Sequence, residues 1–124
     1  MKGEGVSMSM SEVEQPLCIS LFRVVQNNPA ARYDMLSREA LGMRPRHPTA
    51  KALRLWSGLS MNRTREQAAQ LANVSPWLGE YIAELRIPTD GSIRYELDNG
   101  RNGHCTVWGD PDELLALVVS VTRR

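Results

Sequence analysis

Residues 64–85 read TREQAAQLANVSPWLGEYIAEL, and how this stretch is divided decides the fold. Thr64 with Gln67 makes a capping-box pattern that opens a helix through Ala68, Ala69, Leu71 and Ala72 to Asn73 and Val74. Ser75 is a good N-cap, and Pro76 suits a first helical position. Leu78, Tyr81, Ile82 and Leu85 then recur at spacings of three and four until Pro88 ends the run. The reading is two helices separated by a turn too short to let them lie side by side.

Outward from this stretch, helical spacing extends in both directions. Ser11 with Glu14 fits a capping box, and Leu17, Leu21, Val24 and Val25 follow at helical intervals. The β-branched residues of 17–25 leave a strand open as the alternative. Asn27-Asn28-Pro29 breaks the chain, and 30–41 forms a short helix closed by Gly42. Thr49 caps a third helix with Ala52, Leu53, Leu55, Trp56 and Leu59 on its buried stripe. After Pro88 the period falls to two, and Ile93, Tyr95 and Leu97 alternate with Arg94, Glu96 and Asp98. The Asn- and Gly-rich run 98–103 turns the chain back into Cys105–Trp108, making a hairpin. Asp110-Pro111 opens a closing helix carrying Leu114, Leu115, Leu117, Val118 and Val121.

The stretch 64–85 resembles the helix-turn-helix of bacterial and phage DNA-binding proteins, best over Ala68-Ala69-Gln70-Leu71-Ala72-Asn73-Val74-Ser75-Pro76. With the hairpin after it, the chain resembles the winged-helix variant. The expected fold class is therefore mainly α with a small β-hairpin, in one domain over 11–124 behind a disordered tail, 1–10. What the resemblance implies is a small DNA-binding regulator without cofactor, whose second helix presents Ser75, Trp77 and Glu80 to the groove and whose wing touches the backbone through Arg101. Trp77 in the core, and a hairpin tip that is only a turn, remain alternatives.

Charge gives an independent cue. Fifteen Lys+Arg against fourteen Asp+Glu leave +1 in 124 residues, so any basic footprint must be local. Between Met43 and Arg65 stand Arg44, Arg46, Lys51, Arg54, Arg63 and Arg65 with no acid, a phosphate grip if the fold gathers them on one face. The acids Glu80 and Glu84 in the expected second helix support a second reading, a protein-interaction adaptor anchored by Trp77 that binds no DNA. A third rests on residues 52–59, which resemble small terminase subunits of phages. The Leu- and Val-rich closing helix offers a homodimer interface.

Enzyme chemistry is not expected. His104 and Cys105 are neighbours and point to opposite faces of a strand, and Cys18, His47, His104 and Cys105 lack metal-ligand spacing, so no metal site is expected. Asp110, Asp112 and Glu113 suit a helix start rather than a cation. Both cysteines read as reduced thiols. No apolar run approaches the roughly 20 residues of a membrane span, and the opening residues have no signal-peptide core, which leads to the expectation of a cytoplasmic protein.

Overall fold

A computed structural model describes residues 17–98 and 103–124. Six strands form one antiparallel sheet in the order β4-β5-β2-β1-β3-β6. They are β1 (Cys18–Val25), β2 (Leu59–Asn62), β3 (Tyr81–Pro88), β4 (Arg94–Leu97), β5 (His104–Trp108) and β6 (Val118–Arg123). Three short helices, α1 (Ala50–Trp56), α2 (Arg65–Val74) and α3 (Pro111–Leu115), and two 3-10 turns complete the described chain.

This corrects the mainly helical expectation. The first half of the deciding stretch is helical as read: Thr64 accepts from the Gln67 N–H, and the Gln67 side chain returns the bond to the Thr64 N–H. The second half is not. After a 3-10 turn at Pro76–Leu78, Gly79 adopts φ 145°, and a Cβ there would lie 2.1 Å from the Val25 carbonyl oxygen. Glycine thus lets the backbones of β1 and the segment entering β3 meet, and breaks the helix where the spacing of Leu78 and Ile82 seemed to continue it. Tyr81, Ala83, Leu85 and Ile87 also satisfy a period of two. A paired neighbour settles it: β3 runs in register with all of β1, from Cys18 opposite Pro88 to Val25 opposite Tyr81. Residues 64–85 therefore form no helix-turn-helix.

The same partnering makes 17–25 the strand alternative rather than a helix, while Ser11 and Glu14 lie outside the described residues. The expected helix 30–41 reduces to a 3-10 turn at Arg32–Met35. Thr49 caps α1 as read, accepting from the Ala52 N–H, but Leu59 belongs to β2. The hairpin of β4 and β5 forms, with Leu97 opposite Cys105. Asp110 caps α3, accepting from the Asp112 and Glu113 N–H groups, and the chain then enters β6 instead of continuing as a helix.

One face of the sheet carries the core: Leu21 and Val25 from β1, Leu59 and Met61 from β2, Leu85 and Ile87 from β3, and Cys105 and Val107 from β5, closed by Met35, Ile93 and Leu114. Alternation sends Phe22, Ser60, Ile82, His104 and Thr106 to the opposite face. There α2 packs through the fully buried Ala68 and Ala72.

Candidate functional site

The sheet is not uniformly zipped. β1 and β2 pair at one register position, Phe22 opposite Asn62, whereas β1 follows β3 along its whole length and β2 follows β5 from Leu59 to Asn62. The sheet therefore splits between β2 and β1 into a β4-β5-β2 half and a β1-β3-β6 half. A split leaves strand carbonyls without their ladder partners, and these must be satisfied in some other way.

Arg23 of β1 fills the split. Its Nε donates to the Asp34 carbonyl at 2.8 Å, and its Nη1 donates across to the Ser60 carbonyl of β2 at 2.9 Å. Asp34, itself only 5% exposed, holds the loop with its carboxylate, which accepts from the Gln26 N–H, the Asn27 Nδ2 and the Ala31 N–H. Both carboxylate oxygens of Asp34 are thus occupied by neutral donors. Burial pushes the Arg23 guanidinium down to about 10, against the favourable charge of Asp34 and with a further contribution from the like charge of Arg38. Arg38 lies over the Trp56 ring at 4.9 Å.

A guanidinium carries five N–H donors. Within the described residues the protein engages two of those of Arg23. No buried side-chain polar atom among the described residues lacks a partner, and Arg23 itself is half-buried. A cavity of about 210 Å³ is walled by Met35, Ser37, Ala40, Ser57, Leu59 and Val107, among others. Two of these, Met35 and Leu59, directly adjoin the residues whose carbonyls hold Arg23. Arg23, with the like charge of Arg38 acting on it, makes the candidate site, and two guanidinium groups that feel each other suit an anion.

The residues singled out from the sequence are dispersed. Arg54 pairs with Glu96 at 2.9 Å and lies over the Trp108 ring, which Arg94 also covers at 4.3 Å. Trp56 and Trp108 are accordingly half-buried under guanidinium groups rather than core residues. Arg65 donates to the Thr122 hydroxyl and the Arg123 carbonyl, which ties α2 to β6. Arg44, Arg46, Lys51 and Arg63 are exposed. Ser75 is half-buried between α2 and the 3-10 turn, Glu80 pairs with Arg123 at 2.8 Å, and Trp77 is 73% exposed beside the exposed Val74. Arg101 lies outside the described residues. Cys18 and Cys105 are not joined in a disulfide. No group of three or more His, Cys, Asp or Glu able to hold a metal ion occurs among the described residues, and no helix there is long and apolar enough to cross a membrane.

Sequence reasoning passed over Arg23 because the helical reading of 17–25 made it one charge on a wet face. In the strand alternative the same residue sits between Leu21 and Val25 on the core face, which is an anomaly worth pursuing. Comparison with protein-family models, with curated proteins and with solved structures finds no match for this chain.

Proposed function

We propose that this chain binds a phosphate-bearing small molecule at the split in its sheet, with Arg23 as the principal contact and Arg38 alongside. The observation that carries the proposal is the state of Arg23: partly desolvated, aimed by two backbone carbonyls, close in charge to a second arginine, and with further N–H donors that the described residues do not engage. Two guanidinium groups near each other repel, and burial raises the cost. A bound anion offsets both, and a phosphate oxygen pair matches the planar fork of a guanidinium. The cavity walled in part by Met35 and Leu59, neighbours in the chain of the residues that hold Arg23, gives the rest of such a molecule somewhere to lie.

The test is thermal unfolding with inorganic phosphate, pyrophosphate and ADP, each against sodium chloride of equal ionic strength. A ligand that binds only the folded state at 100 times its Kd stabilises by about 2.7 kcal/mol, so a shift in Tm of several degrees is expected with the best of the three. Arg38→Ala, an exposed position, should weaken the shift, and Arg23→Met should abolish it while Arg23→Lys keeps part of it. Equal shifts in chloride would overturn the proposal. So would anion binding that survives Arg23→Met but disappears when Arg44, Arg46, Lys51 and Arg63 become alanine, since the ligand would then be a polyanion on the outer surface.

A further inference from the structure

On the opposite face of the sheet lies a second side-chain constellation, linked to Arg23 only through the Ser60 backbone carbonyl. Ser60 of β2 and His104 of β5 are diagonal neighbours: Ser60 lies opposite Thr106, and His104 lies opposite Asn62. Both point away from the core, because Leu59, Met61, Cys105 and Val107 take the alternate positions. The Ser60 hydroxyl lies 2.7 Å from His104 Nε2. On the far side of the ring, Asp98 Oδ2 lies 3.8 Å from His104 Nδ1, placed there because the Asp98 N–H donates to the His104 carbonyl at the end of the β4-β5 ladder.

We infer that Ser60 is a nucleophile activated by His104, with Asp98 as its orienting carboxylate, and that this face of the sheet cleaves carboxylic esters. A carboxylate beside Nδ1 favours the tautomer with the proton on Nδ1, which leaves Nε2 as the acceptor that a serine hydroxyl needs. Nearby structure holds the pieces in place. Gly103 takes φ 64° just before His104, and a Cβ there would overlap the Gln67 side-chain amide, so β5 enters pressed against the capping box of α2. Competing partners are engaged elsewhere, since Glu96, opposite Thr106 on the same face, pairs with Arg54. Ser60 is an exposed residue and the imidazole side chain is 34% exposed, so an ester can approach the pair.

The chemistry balances without a cofactor. Ser60 Oγ forms a bond to the ester carbonyl carbon as its proton passes to His104 Nε2. The carbon–oxygen bond to the alcohol then breaks, and that proton goes to the departing alkoxide, which leaves an acyl group on Ser60. Water repeats the sequence in the second half, giving its proton to Nε2 and releasing the acid, with the proton returned to Ser60.

The experiment combines a fluorophosphonate probe, located by peptide mass spectrometry, with hydrolysis of p-nitrophenyl acetate. Expected is an adduct on Ser60, hydrolysis that falls to the buffer rate in Ser60→Ala, a loss of at least tenfold in His104→Gln and a smaller loss in Asp98→Asn. Ser92→Ala, a hydroxyl outside the site, should keep both readouts, and circular dichroism melts identify any variant that has lost its fold. Hydrolysis unchanged in folded Ser60→Ala, or labelling at other residues but not Ser60, overturns the inference. Ser60→Ala, His104→Gln and Asp98→Asn leave the Ser60 carbonyl that holds Arg23 in place, so this result and that of the anion titration are distinguishable.

Discussion

Arg23 is held by two backbone carbonyls that belong to different segments, one in the loop after β1 and one in β2. A lysine could not make both bonds with the same geometry, because its ammonium has no planar fork. The buried thiol of Cys105 shows the same effect of desolvation with opposite sign. Burial raises it from its ordinary 9.0 to about 11, against the backbone hydrogen bond of Glu96 and the charge of Arg63. Folded protein at pH 8 should therefore react quickly with a thiol reagent at the exposed Cys18 alone, and at both cysteines in denaturant. Between pH about 9 and about 11 the folded state keeps a proton that the unfolded state releases, so Cys105 draws stability down as pH rises through that window. Urea midpoints for the protein and for Cys105→Ala should diverge less at pH 10 than at pH 8.

At the scale of elements, α2 and β3 share a sequence in which two periods coincide. Capping at Thr64 depends on neighbouring residues alone, and it was legible; replacing Thr64 with alanine should cost about 1 kcal/mol in urea unfolding. The identity of β3 depends on β1, a partner far away in the chain, and spacing alone could not supply that. Gly79 was the local clue, since a glycine amid a helical pattern marks either a defect or a close approach. Here it is a close approach at a positive φ, so Gly79→Ala should destabilise by more than about 3 kcal/mol, or prevent folding, as measured by the same urea titration. Among the strands, the β4-β5 hairpin could be read because its turn residues and its alternation agree. β2 could not, because four residues, Leu59–Asn62, directly follow a helix whose apolar stripe absorbs Leu59. With β2 unread, Ser60 had no face, and His104 was weighed against Cys105 and as a metal ligand but not against a serine. Arg23 and the Ser60–His104 pair are thus legible only once the pairing of strands is known.

Taken whole, the described residues form a sheet whose strand order departs widely from the order of the chain. Charge did not predict its surface well either. The basic run 43–65 is real in sequence, yet Arg54 and Arg65 serve to fasten α1 to β4 and α2 to β6. The central position of β1 has a temporal consequence. It is the first described element to be synthesised, but its full-length partner β3 begins at Tyr81 and its neighbour across the split offers a single paired position. At about 5–20 residues per second, a ribosome leaves β1 with two open edges for several seconds. Refolding from denaturant should accordingly be slow for a chain of this size, in the range of milliseconds to seconds that non-local pairing imposes, and stopped-flow fluorescence would check it. During synthesis the segment CISLFRVV would be an unprotected template for other strands, with Arg23 the one charge along it to discourage them.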